Sequence, residues 1–145
     1  MSQARGLTPP IDELNAPFYE AARAGELQLM QCAKCERYLH PPRPMCPACH
    51  STATRWQRMS GRGTIWSFVV PHPPLLPEFM DVAPYAVIAV TLAEHPALRL
   101  LGNLVSGPGG AINEIDPATI RIGEPVRVIF EPLTPEIHLP RWVRA

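Results

Sequence analysis

The chain has 145 residues, 46% of them hydrophobic, and a formal net charge of zero. That length suits one ordinary domain, or a small module attached to a compact one. No apolar run approaches the roughly eighteen residues of a membrane-spanning helix, so no membrane association is expected. The zero charge and a single lysine, Lys34, count against a nucleic-acid binder, whose footprint is strongly basic, and nucleic-acid binding stays as the alternative function.

Residues 1–10 read as a loose tail without the apolar stretch of a signal peptide. A cytoplasmic chain is therefore expected. Pro17, followed by Phe18, Ala21 and Ala22, predicts a short amphipathic helix. Proline suits its first turn and Gly25 its C-terminal cap. Leu27 and Leu29 alternate with polar neighbours, as in a strand.

That strand leads into the first of two cysteine pairs, Cys32 with Cys35 and Cys46 with Cys49. In a reducing compartment such pairs bind metal rather than form disulfides. Four thiolates from two facing knuckles meet the needs of a closed structural zinc site. No ligand position is left for water, which argues against hydrolytic zinc. Iron remains the alternative on spacing alone. Arg37, Tyr38 and Leu39 predict a second strand, and the run Pro41-Pro42-Arg43-Pro44 a bend that returns the second knuckle to the first.

Beyond Gly61, Thr64 to Val70 is rich in β-branched and aromatic residues and predicts a strand. Residues 71–84 form a proline-rich loop. Tyr85 to Leu92 and Leu98 to Val105 predict two more strands, and Asp116-Pro117 opens one helical turn through Ile120. Val126 to Phe130 is a further strand. Short strands with turn signals and one brief helix suggest an OB-type barrel. The expected fold is mainly β, with a tail and helix over 1–26, a zinc ribbon over 27–60 and a barrel over 61–145.

The basic residues gather toward the ribbon. From Glu20 to Arg62 there are seven arginines and lysines against three acids, and from Gly63 onward five against eight. That balance suits a phosphate-bearing ligand or an acidic protein face. Trp66 and Phe68 offer stacking surface, and Arg43 and Arg62 phosphate partners. The same residues have a plainer reading. Trp66 and Phe68 lie two apart, on one strand face, as core residues do, and Arg62 as a solvated turn residue. No nucleophile and base pair emerges, so no catalytic residue is assigned.

The order of motifs carries a resemblance. Phe18-Tyr19-Glu20 precedes the first knuckle, and His40-Pro41-Pro42-Arg43-Pro44 precedes the second. Ser60-Gly61-Arg62-Gly63-Thr64, Pro84-Tyr85-Ala86-Val87, Arg121-Ile122-Gly123-Glu124-Pro125-Val126 and Phe130-Glu131-Pro132-Leu133 follow. This series resembles the family that joins a rubredoxin-like zinc ribbon to a C-terminal OB-fold, long catalogued as a domain of unknown function. The likeness runs over about residues 17–143. It implies structural zinc on the four cysteines and an accessory subunit of an acyl-CoA enzyme. It also implies a thiolase-like partner of the sterol-carrier type, a steroid side-chain aldolase or an enoyl-CoA hydratase-like subunit. A heterotetramer with two copies of this chain and a bound acyl-CoA thioester are expected on the same ground. The segment 106–115 is longer than the family's usual link, and is expected to be a loop insertion or a partner contact.

Overall fold

The computed structural model describes residues 7–145. The expected tail over 1–10 lies outside the described residues up to position 6, and residues 7–10 carry no regular secondary structure. Helix α1 (Ala16–Arg23) forms as its sequence predicts, with proline in the first turn and Phe18, Ala21 and Ala22 buried on one face. It ends because Gly25 adopts a φ of 81°. Its N–H donates to the Ala22 carbonyl at 3.0 Å and the Glu26 N–H to Ala21 at 2.9 Å, which satisfies the last carbonyls.

Three strands form an antiparallel sheet in the order β2-β1-β3, with β1 Gln28–Cys32, β2 Tyr38–Leu39 and β3 Thr54–Arg58. The central strand serves two cores. Leu29 joins the barrel cluster, while Met30 and Cys32 join a smaller cluster with Leu39 and Cys46. Because successive strand residues face opposite sides, one five-residue strand thus welds ribbon to barrel.

The remaining strands are β4 (Arg62–Val69), β5 (Val87–Leu92), β6 (Arg99–Leu104), β7 (Pro125–Pro132) and β8 (His138–Arg144). They close into a barrel in the order β4-β5-β6-β8-β7, with β6 and β8 parallel and every other pair antiparallel. This is the expected mainly β architecture of ribbon and OB barrel. Closure removes the sheet's exposed edges. Along β5, Ile88, Val90 and Leu92 point inward and are buried, while Val87, Ala89 and Thr91 face outward. Trp142, Ile65, Leu104 and Val126 complete the interior, each burial contributing about 1.5–3 kcal/mol.

Two short helical elements lie in the connections. Helix α2 (Pro77–Met80) interrupts the proline-rich loop. A 3-10 turn at Pro117–Thr119 follows Asp116, whose carboxylate accepts from the Ala118 N–H at 3.0 Å. The segment 106–115 folds back on itself: the Glu114 carboxylate accepts from the Ser106 N–H at 2.8 Å and from its hydroxyl at 2.7 Å.

The structure corrects the reading of Trp66 as a core partner of Phe68. A register shift between Ile65 and Ser67 marks a bulge in β4. The extra residue is Trp66, so the alternation flips beyond it. Phe68 pairs with Ile88 and packs against the core, whereas Trp66 is 53% exposed.

Candidate metal centre and outer barrel face

The two knuckles are built alike. In the first, the Cys32 N–H donates to the Arg37 carbonyl at 2.8 Å and the Glu36 N–H to the Cys32 carbonyl at 3.0 Å. In the second, Cys46 donates to Ser51 at 2.9 Å and His50 to Cys46 at 2.9 Å. The residue after each second cysteine turns left-handed, Glu36 with φ 65° and His50 with φ 61°. That turn bends each pair of thiols toward a common centre. Gln31, one of the few buried polar residues, anchors the first knuckle to the sheet. Its amide donates to the Glu36 carbonyl at 2.8 Å and accepts from the Arg55 side chain at 2.9 Å.

The sulfurs converge. Cys32 and Cys49 lie 3.6 Å apart, as do Cys35 and Cys46. All four sulfurs fall within 4.8 Å of one another. Tetrahedral zinc with bonds near 2.3 Å sets its sulfurs about 3.8 Å apart, so the donor set fits the ion. The electrostatics agree. The Cys35 N–H, donating at 3.4 Å, draws the Cys32 thiol down to about 6, and the Cys49 N–H lowers Cys46. Cys35 receives the pull of the Arg37 N–H, but burial and the neighbouring thiols push it up to about 11. Four sulfurs this close cannot all ionise without a cation among them. Such a cation would be held by Cys32, Cys35, Cys46 and Cys49 with no open position, a structural clamp rather than a reacting centre.

His40 lies between the knuckles, 6.2 Å from the Phe18 ring of α1. Its Nδ1 is buried without a partner, and burial lowers the pKa of the ring. The β5–β6 turn reaches back to the ribbon: His95 meets Tyr38 edge to face at 6.4 Å, and the Glu94 carboxylate accepts from the Ser60 N–H at 2.6 Å.

The four side chains expected to meet a CoA ligand are dispersed. Arg43 is exposed on the ribbon between the knuckles. Phe68 packs against the core. Arg62 and Trp66 share the outer face of β4, separated by Thr64. Two residues missed in the sequence join that face. Arg99 places its guanidinium 3.9 Å from the centre of the Trp66 ring, and Arg127 stands opposite Arg62 in the β4–β7 ladder. Their partnership arises from strand pairing, which sequence spacing does not reveal. Val69 and Leu101, 62% and 65% exposed, extend the face with apolar surface. A shallow pocket of about 250 Å³ lies elsewhere, lined by Tyr19, Arg23 and Ile137 among others. It is smaller than the roughly 300–1,000 Å³ of ordinary small-molecule sites.

A closed four-thiol ribbon fused to an OB barrel defines a class of two-part zinc-ribbon proteins, and comparison with known families places the chain within it. Residues 20–55 match the family described as ChsH2, rubredoxin-like zinc ribbon domain, and residues 56–131 match ChsH2, C-terminal OB-fold domain. The chain belongs to this ChsH2 family, for which the name DUF35 is also used.

A probable enoyl-CoA hydratase alpha subunit of Thermomonospora curvata is 37% identical over 91% of this chain and 38% of its own length. The 3-oxo-4,17-pregnadiene-20-carboxyl-CoA hydratase alpha subunit of Mycobacterium tuberculosis is 33% identical over 94% of this chain, again 38% of that protein. The chain thus spans well under half the length of these two curated relatives. A DUF35 domain-containing scaffold protein of Methanothermobacter thermautotrophicus is 32% identical over 73% of this chain and 72% of its own length. Among solved structures, a chain of an Ltp2-ChsH2(DUF35) aldolase superposes with a TM-score of 0.79 at 36% identity, covering 94% of this chain and 98% of that one. A DUF35 protein of unknown function from Sulfolobus solfataricus shares the fold, with a TM-score of 0.57 at 12% identity over 92% of this chain and 86% of that one. No helix among the described residues is long and apolar enough to cross a membrane.

Proposed function

We propose that the protein is an accessory subunit of an acyl-CoA enzyme, docking on a thiolase-like aldolase and helping to hold its CoA thioester. The observation that carries this reading is the match, over nearly the whole chain, to a subunit of an Ltp2-ChsH2(DUF35) aldolase. The geometry supports a protein that works beside another. Its four thiols leave no open position at the metal centre, and its barrel turns Val69 and Leu101 outward rather than around a cavity. Monomers seldom expose such apolar patches without a use for them. On this reading the reacting groups belong to the partner, zinc holds the ribbon in shape, and two copies of the chain flank a partner dimer. Four reduced thiols fit a cytoplasmic setting.

A second reading is favoured by the two relatives named as hydratase alpha subunits. Here the chain serves an enoyl-CoA hydratase-like subunit. Co-expression with each candidate partner followed by size-exclusion chromatography separates the two. The aldolase reading expects co-elution with the thiolase-like partner and a gain in its retro-aldol activity. Co-elution with the hydratase-like partner alone selects the second reading. A chain that co-elutes with neither, and alters neither activity, refutes both.

A further inference from the structure

Arg62 and Arg127 stand directly opposite each other in the β4–β7 ladder, and both are exposed. Neither takes part in any of the three ion pairs formed among the described residues. Like charges in directly opposed positions destabilise the ladder that carries them. An anion seated between the two guanidinium groups removes that repulsion and receives two planar forks of N–H donors, the geometry that suits a phosphate.

The rest of the outer face completes a ligand. The register Thr64–Thr91–Arg99 runs across β4, β5 and β6, and Trp66 lies one outward position beyond Thr64 on β4. Arg99 lies over its ring. At about 3.4 Å per strand residue, Trp66 stands roughly 14 Å along the strand from Arg62, a gap that two long side chains narrow. A half-exposed indole backed by a guanidinium is a platform for a flat heterocycle, since bases stack on aromatic rings and on arginine planes alike. Acids on the adjoining turns are already engaged, Glu94 with the Ser60 N–H and Glu124 with Arg144 at 3.0 Å. The face therefore offers two cationic forks and one stacking surface, without a carboxylate between them to compete.

The geometry points to a nucleoside-phosphate site on the outer face of the barrel: we infer that Arg62 and Arg127 hold phosphate and that Trp66, backed by Arg99, stacks the base. Resting on the acyl-CoA reading above, the occupant is the phosphoadenosine end of the CoA thioester, which leaves the acyl end free for the partner's active site. Arg43, on the ribbon, and Phe68, in the core, take no part.

The test uses the full chain and three probes, adenosine 3′,5′-bisphosphate, CoA and a short single-stranded oligo-dA, followed by tryptophan fluorescence and calorimetry. Trp66 is exposed, whereas Trp142 is fully buried and Trp56 partly so. The bisphosphate and CoA should bind and quench, and the quench should vanish in Trp66→Phe. The Arg62→Ala/Arg127→Ala double variant should bind at least about tenfold more weakly, because two charge-assisted contacts are lost. Zinc content and circular dichroism should stay unchanged, which shows that folding is not the cause. No binding by either nucleotide, equal affinity in the double variant, or binding of oligo-dA without response to CoA each overturns the site. The outcome is separable from the accessory role, which is judged by co-elution with a partner: a site without a partner, or a partner without the site, sinks one proposal and leaves the other standing.

Discussion

Removing the metal should loosen the ribbon in part, not wholly. The smaller core fully buries two apolar side chains besides cysteine, Met30 and Leu39, with Leu14 and Trp56 packed against it in part. The burial of Met30 and Leu39 contributes about 3–6 kcal/mol together. A structural four-cysteine zinc contributes about 10–16 kcal/mol to a module that lacks it when unfolded. The ion therefore dominates the segment between the knuckles. Strand β2 is only two residues long and has little else to hold it. Strand β1 is different, because Leu29 on its other face, with Leu27 and Met59 flanking the sheet, belongs to the barrel core. In Cys46→Ser, or after a thiol-competing chelator, hydrogen exchange should accelerate over residues 33–53 while β1, β3 and the barrel strands keep their protection. Metal analysis should show about one zinc per chain before and none after. Unchanged exchange over 33–53 without metal would refute the argument, and so would loss of protection across the whole barrel. Acidification should release zinc, because protons compete for the thiolates. Cys32 and Cys46, whose folded pKa values are depressed, favour the charged form that binds metal above those values and lose it as pH falls through them.

Three further outcomes follow. A Cβ added at Gly63 would meet the Thr91 carbonyl oxygen at 2.5 Å and also the Val90 side chain. Gly63→Ala should thus destabilise the barrel by about 1–3 kcal/mol, read as a lower urea midpoint. For His40, burial depresses the folded pKa below its ordinary 6.5, so the unfolded chain binds more protons between those values. Its contribution is complete above 6.5 and is lost as pH falls below it. His40→Phe should gain stability relative to the parent on going from pH 7.5 to 5.5, and a difference that stays flat contradicts the burial argument. At His50, the left-handed φ of 61° strains a non-glycine residue. His50→Gly should tighten the second knuckle by about 0.5–1 kcal/mol, measured as slower zinc transfer to a chelator.

Much of this was legible in the sequence because its signals are local. Cysteine spacing, the proline and glycine that bracket α1, and the alternation of β5 each depend on neighbours a few residues away. What escaped depended on partners far along the chain. Strand β8 carries Pro140, and proline in a strand interior argues against pairing on both sides. Yet β8 pairs with β7 throughout, and its parallel ladder with β6 involves only Arg141 and Trp142, just past the proline. Strand β3, Thr54–Arg58, shows half-exposed residues without an apolar stripe, and only its register against β1 makes it a strand. The bulge at Trp66 is likewise a property of the β4–β5 pair. It turned an expected core residue into a surface one and made possible the stack with Arg99.

In the proposed role, the zinc-stapled ribbon and the OB barrel dock together on an acyl-CoA enzyme. Native mass spectrometry of the chain co-expressed with a candidate thiolase-like protein reads out that docking. The expected spectrum is that of a hetero-oligomer with two copies of this chain, each carrying one zinc, on a partner dimer. A spectrum of free chain beside free partner, at concentrations where both are folded and zinc is bound, would contradict it.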